Sequence, residues 1–359
     1  MDKFQKPLVE DLYKEELEIL LKNDKYNKPQ NWKLSPQAIR DFILGNDNLN
    51  IKKKFYGDDS LVERSIITLA SNRGLMLIGE PGTAKTMLSE LLSAGISGIS
   101  TNTIQGTAGI NEDNIKYSWN YATLFANGPI DEALIASPIY IGMRDGIITR
   151  FEEITRCALE VQDSLISILS DKLLNIPEQN KILFASNGFN IVATANTRDR
   201  GVNDMSSALK RRFNFEIVEP IKDKKIEGEI ISSQCESLFE ISNIDMKIDD
   251  DVIDILSTTF NELRSGVSEE NSRIEPLSSV MSTAEAVSVY YQSALHSYYY
   301  DDNKKINMKT LTSNLVGSVV KENKEDIDKL KHYFNNSVKI KAQKYGKLWN
   351  DFFESRKLL

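Results

Sequence analysis

The sequence predicts an α/β core built on a parallel sheet flanked by helices, followed by an all-helical C-terminal region. Three observations carry that prediction. From Gly74 onward, short and nearly all-apolar runs alternate with segments of helical spacing. The first of these runs leads directly into the glycine-containing loop GEPGTAKT at residues 79 to 86. After Pro220 no such run recurs, and the apolar spacing is helical to the last residue. Short runs that are apolar throughout read as strands buried on both faces, which is the mark of a parallel sheet. Alternation with helices makes the core doubly wound.

Taken in order, apolar residues at helical spacing (Leu8, Leu12, Leu17, Leu20) predict a helix over about 8–22. Residues 23–35, rich in Asn, Lys and Pro, read as a linker. A second helical piece around Ala38–Leu44 stops at Gly45, and a third runs from Asp59 to Leu69. The expected strands are Leu75–Ile78, Ile147–Phe151, Asn190–Ala195 and an edge strand at Phe213–Val218. Beyond Pro220 the helices are interrupted by a polar break at Ser265–Ser272.

Composition narrows the chemistry. A chain of 359 residues exceeds one small core, so two or three domains are expected. The formal charge of −8 argues against a basic nucleic-acid-binding face. Cys157 and Cys235 stand far apart with no CxxC partner, and His296 and His332 are the only histidines. A disulfide framework, a zinc ribbon and a histidine-based site are therefore not expected. The opening residues alternate charged with apolar side chains, so neither a signal peptide nor a membrane span is expected, and a reducing cytoplasm fits.

The loop is the strongest chemical signal. A strand, a loop of the form GxxxxGK[ST] and a helix make a phosphate cradle. Gly79, Glu80, Pro81, Gly82, Thr83 and Ala84 form the loop here, and Lys85, Thr86 and Met87 open the helix. Backbone N–H groups and the helix N-terminus favour a polyphosphate. Lys85 brings an ammonium to the β- and γ-phosphates, and the Thr86 hydroxyl is a magnesium ligand. Ala84 replaces the last glycine of the pattern, and alanine at positive φ is strained, so a negative φ is expected there.

With alanine before its lysine, GEPGTAKT resembles the loop of the MoxR branch of the AAA+ ATPases, of the dynein-related type, and the resemblance covers about 55–297. GIITRFEEITR at 146–156 resembles that family's acidic motif. The resemblance implies that Glu152 helps hold magnesium and that Glu153 orients the attacking water. Glu152 stands where aspartate is usual. FNIVATANTRDRG at 189–201 resembles the first sensor, with Asn196 near the γ-phosphate. SSALKRRFNF at 206–215 resembles the arginine-finger segment, with Arg212 preferred and Arg211 close behind. Simpler roles remain open for these residues: a helix-capping acid, a turn asparagine, a solvated arginine pair.

Segments LLNIPE and KILFAS can pair as a hairpin resembling the one that projects toward the ring axis in this branch. The stretch from Gly106 to Asp145 has room for the insert in the second helix. Phe55-Tyr56-Gly57 lies where such families contact the base. The second sensor does not follow the pattern: Ser282-Thr283-Ala284 stands in place of Ser-Pro-Arg, with Arg273 nearby. The aromatic run at Tyr290–Tyr300 and the basic amphipathic tail with Trp349, Phe352 and Phe353 are expected to pack within the protein. The domains implied are a helical extension with linker (1–54), a nucleotide-binding core (55–219) and a helical lid with further helices (220–359).

The resemblance implies a magnesium-dependent ATPase acting in a homo-oligomeric ring, most plainly a hexamer. Its partner would be a protein to be remodelled or activated, with a von Willebrand A domain protein as one candidate. A nucleic-acid-directed motor and an ATP-bound switch with little turnover are the alternatives.

Overall fold

A computed structural model describes residues 6–196, 205–278, 281–321 and 323–359. The chain divides into two compact units. One takes the chain up to Glu80 together with Ala84–Glu219, and the other takes Pro81–Thr83 with Pro220–Leu359.

The first unit is organised by a five-stranded parallel sheet. Its strands are β1 (Gly74–Gly79), β2 (Thr103–Gln105), β5 (Ile148–Glu152), β8 (Asn190–Asn196) and β9 (Phe213–Val218), in the order β2-β5-β8-β1-β9. The strands expected from sequence are all present, with β9 at an edge. Strand β2 escapes sequence reading because three residues, two of them exposed polar side chains, carry no apolar run. Side-chain alternation splits the core. Leu75, Leu77, Ile148 and Val192 meet the helices Pro36–Leu44, Asp59–Ala70 and Lys85–Ser97. Met76, Phe151, Ile191 and Ala193 face the opposite layer. Every residue of β5 and β8 is buried, which is why these strands read as largely apolar runs despite the polar Arg150 and Thr194 within them.

Residues near the N-terminus join this core. The helix expected over 8–22 is two helices, Val9–Leu12 and Lys14–Asn23, broken at Tyr13. The segment read as a linker is packed: Trp32 and Leu34 are buried, and Asp24 accepts from the Ser35 N–H and hydroxyl, both at 2.7 Å. Two buried apolar side chains among polar neighbours were too sparse a pattern to register as core.

Two small antiparallel pairs interrupt the helical layer: β3 (Tyr117–Trp119) with β4 (Leu134–Ala136), and β6 (Leu173–Ile176) with β7 (Lys181–Phe184). The second is the hairpin expected from LLNIPE and KILFAS. The two are linked. Tyr117 Oη donates to Glu178 at 2.8 Å, while Gln179 and Lys181 donate to Asp131 at 2.9 and 2.8 Å.

The second unit is helical: Lys224–Ile241, Asp250–Ser265, Thr283–Tyr300, Met308–Val319, Glu325–Tyr333, Lys339–Tyr345 and Lys347–Glu354. Trp349 and Phe352 lie in its core, so the tail docks within the protein. The tail is not one helix, because Gly346 at φ 94° breaks it. Tyr290 is buried and accepts the Asp249 N–H at 2.7 Å, whereas Tyr299 and Tyr300 are exposed. No helix of the described residues is long and apolar enough to cross a membrane.

A fully buried lysine, Lys341, holds this unit's polar interior. It meets Glu262 at 2.8 Å and both oxygens of Glu270 at 2.9 Å, and Tyr333 Oη donates to Glu262 at 2.7 Å. Removing one partner of a buried pair leaves the other charge uncompensated. Lys341→Met is therefore expected to destabilise the unit by about 3–5 kcal/mol, read from its urea-unfolding midpoint. Adding Glu262→Leu is expected to recover part of that loss.

Candidate functional site

The loop after β1 has to turn the chain from strand to helix within a few residues. Ala84 makes the final turn in the left-handed region at φ 64°, ψ 21°, against the negative φ expected from its residue type. The cradle geometry overrides alanine's local preference, at a cost of about 1–2 kcal/mol. The Ala84 methyl packs against the core, which offsets part of that cost. Gly82 is also left-handed, at φ 76°.

Lys85 begins the helix Lys85–Ser97 and is buried. Its ammonium donates to the carbonyls of Gly79 at 3.1 Å and Glu80 at 2.7 Å, which keeps it folded over the start of the loop. Thr86 is exposed, Met87 is half-buried against the core, and the Thr86 hydroxyl donates to Glu152 Oε2 at 3.0 Å.

Three parallel strands end in site residues. Gly79 closes β1, Glu152 closes β5 and Asn196 closes β8, and Gly79 is the register partner of Asn196. In open α/β sheets the ligand crevice lies beyond these carboxyl ends. The sequence-predicted loop, acid and amide therefore share one rim. Residues 197–201 of the sensor motif lie outside the described residues.

Glu152 is buried and its carboxylate is fully engaged. Oε1 accepts from Ser89 Oγ at 2.6 Å and Arg150 Nη2 at 2.7 Å, and Oε2 accepts from Thr194 Oγ1 at 2.7 Å as well as from Thr86. Burial pushes this carboxyl up, but the Arg150 charge and the hydroxyl donors outweigh it, so it lies below the usual glutamate range. Glu153 stands in the left-handed region at φ 52°, with its N–H donated to Thr194 Oγ1 at 3.0 Å and its carboxylate 2.7 Å from Arg156 Nε.

Several partners were missed in the sequence. Arg150 is a lone charge inside an apolar strand, two residues before the acid and so on its face, which is a signal that could have found it. Thr194 is likewise a polar residue in an apolar run. Gly106 carried no signal. It sits so close that a Cβ there would come 2.3 Å from the Glu153 carbonyl oxygen, and its N–H donates to the Glu152 carbonyl at 2.7 Å.

The arginine pair is distinguished by geometry. Arg212 is held inside its own unit, with Nε on Ser170 Oγ at 2.7 Å and Nη1 on the Ala208 carbonyl at 2.6 Å. Arg211 is exposed, and its guanidinium has no partner among the described residues. Phe55 of the base-contact candidate is buried in the core, leaving Tyr56 half-exposed. In the second unit, Ser282 caps the Thr283–Tyr300 helix through a capping box with Glu285. Arg264 is spent on Glu227, at 3.0 and 2.6 Å, and on the Met281 carbonyl.

A phosphate loop opening a helix beside strands that end in an acid and an amide defines a P-loop core of the AAA+ class. Comparison with known proteins specifies it further. The model of the AAA domain of the dynein-related subfamily matches residues 74–213, and that of the YehL-like AAA+ ATPase C-terminal domain matches 225–359. The chain is 46% identical over 355 residues to YehL of Escherichia coli (strain K12), covering 98% of this chain and 97% of that one. YojN of Bacillus subtilis (strain 168) is 26% identical over 228 residues, covering 61% of this chain and 70% of its own. The chain therefore belongs to the dynein-related AAA+ ATPases that carry a YehL-like C-terminal domain.

Crystal structures of NtrX from Brucella abortus share the fold at 12% identity. The ATP complex aligns with TM-score 0.51 over 86% of this chain and 69% of that one. The ADP complex aligns with TM-score 0.50 over 77% of this chain, which spans 59% of the NtrX chain.

Because Ala84 carries left-handed strain, Ala84→Gly is expected to raise stability. The gain should be about 0.5–1 kcal/mol once the larger unfolded-state entropy of glycine is subtracted, measured by thermal or urea unfolding.

Proposed function

We propose that this chain hydrolyses ATP with magnesium in a closed homo-oligomeric ring, a hexamer, and uses the cycle to remodel or activate a partner protein. The observation that carries the reading is the convergence of Lys85, Thr86, Glu152, Glu153 and Asn196 on one rim of the sheet.

The donor set suits the metal. A hydroxyl (Thr86) and a carboxylate oxygen (Glu152) in contact are hard oxygen ligands of the kind magnesium takes beside phosphate. When bound, magnesium would neutralise charge on the β- and γ-phosphates. The loop Gly79–Ala84 would cradle the phosphates with its N–H groups, and Lys85 would neutralise the transferring end. Glu153 would orient the attacking water, and the Asn196 amide can both accept from that water and donate to phosphate.

Arg211 is the finger we favour on geometry, since Arg212 is committed within its own unit. A guanidinium acting on a neighbour's γ-phosphate needs an assembly without free ends, which is the argument for a ring. A protein partner, of von Willebrand A type, follows the MoxR resemblance. Recovery of nucleic acid as the sole co-purifying partner would overturn that part.

One observation favours a second reading, an ATP-bound switch. The Glu153 carboxylate is held by Arg156 at 2.7 Å, which restrains it from serving a water. That reading predicts tight ATP binding with negligible turnover even in assembled rings.

Turnover per protomer decides between them. It is expected to rise with protein concentration as rings close, and Lys85→Ala is expected to abolish nucleotide binding and turnover together. Glu153→Gln should keep binding and lower turnover by about 10²–10⁴-fold. Arg211→Ala should keep binding and lower turnover by about 10³-fold or more. Arg212→Ala is expected to cost mainly stability, seen as a lowered Tm.

A further inference from the structure

We propose that Arg150 is a positioning residue for the Glu152 carboxylate. It fixes which carboxylate oxygen faces Thr86, and it sets the side-chain length required at position 152. The proposal rests on the reading of this rim as a magnesium-nucleotide site.

Residues two apart on a strand share a face, so Arg150 and Glu152 both lie under the Lys85–Ser97 helix. Arg150 is buried, and each arm of its guanidinium is engaged. Nε donates to Ser89 Oγ at 2.9 Å, Nη1 to the Ser100 carbonyl at 2.8 Å and Nη2 to Glu152 Oε1 at 2.7 Å. Glu90 adds a second carboxylate at 3.6 Å. A planar fork held at three points cannot rotate, and it holds Oε1 in place.

The consequence is an asymmetric carboxylate. Oε1 is spent on Arg150 and Ser89, and only Oε2 points to the Thr86 hydroxyl, steadied by Thr194. The Arg150 charge also cancels much of the Glu152 charge. The isolated rim is therefore a poor trap for a free divalent ion, and the ion is retained only with phosphate oxygens. Length matters for the same reason. One carboxylate bridges Arg150 on one side and Thr86 on the other, and an aspartate, one methylene shorter, would reach one of them while Arg150 held it back.

A salt bridge that merely fills the core would leave metal dependence untouched, which gives the test its discrimination. The full chain is titrated with a fluorescent ATP analogue in EDTA and across a magnesium series, for the wild type, Arg150→Lys, Glu152→Asp and the double variant Arg150→Leu/Glu152→Asp. Unchanged nucleotide affinity in EDTA reports an intact fold and loop in each variant. Arg150→Lys and Glu152→Asp are each expected to raise the half-saturating magnesium concentration by about ten-fold or more. The double variant is expected to fall nearer the wild type than Glu152→Asp alone, because the shorter acid is no longer drawn to the arginine.

Wild-type magnesium dependence that persists unaltered in Arg150→Lys, with only Tm lowered, overturns the positioning role and leaves the nucleotide reading standing. A double variant no better than Glu152→Asp overturns the length argument. Nucleotide binding that ignores magnesium in the wild type overturns the site reading, and the proposal with it.

Discussion

Burying the Glu152 carboxylate at the end of β5 is tolerable only because the neighbouring elements each give it a donor. An ionised carboxylate taken out of water costs several kcal/mol unless it is paired and its lone pairs are satisfied. Here the donors come from the strand itself (Arg150), from the neighbouring strand β8 (Thr194) and from successive turns of the loop helix (Thr86 and Ser89). That requirement ties β5, β8 and the Lys85–Ser97 helix into one rigid piece. The same network places the Thr86 hydroxyl against the acid. Stability and site geometry are here the same set of hydrogen bonds.

The loop shows the opposite balance, where local comfort yields to the site. Alanine favours negative φ, yet Ala84 is left-handed at the turn that carries the chain from the loop into the Lys85–Ser97 helix. Glu153 is a second non-glycine residue in that region, held by Thr194 from one side and by the close backbone of Gly106 from the other. Strain of this kind persists where the surroundings over-determine a conformation. These two positions flank the rim shared by Gly79, Glu152 and Asn196.

How much of this was legible follows from the physics of each signal. Strands β1, β5 and β8 were readable because burial on both faces favours apolar runs, and the loop was readable because a phosphate cradle demands glycine, lysine and a hydroxyl at fixed spacing. Strand β2 was hidden because a three-residue strand needs no such run. The packed segment around Trp32 and Leu34 was hidden because its burial depends on the sequence-distant helix Lys85–Ser97, whose Ile96 carbonyl accepts the Lys33 N–H at 2.8 Å. Ala84 was misjudged because a residue-level preference was weighed without the loop that overrules it. Arg150 was overlooked although its mark was plain: a charge in a buried strand must have a partner, and period-two spacing names Glu152. The sequence could not show that the Arg212 guanidinium is engaged by Ser170 and the Ala208 carbonyl, because those contacts exist only in the fold.

The glutamate at position 152 is the point where this chain departs from the acidic motif it resembles, and the buried network gives that departure a cause. An arginine on the same strand face competes for the carboxylate, so the acid has to be long enough to satisfy it and still reach Thr86. Arg150 and Glu152 thus work as one unit beneath the Lys85–Ser97 helix. On the positioning role proposed for Arg150, an arginine under a shorter acid would pull the carboxylate off the rim, and a glutamate without the arginine would keep its hydroxyl donors but lose the charge that pins Oε1. Pairing them restores a single fixed oxygen at the rim, at the expense of a tighter dependence on every donor that surrounds it.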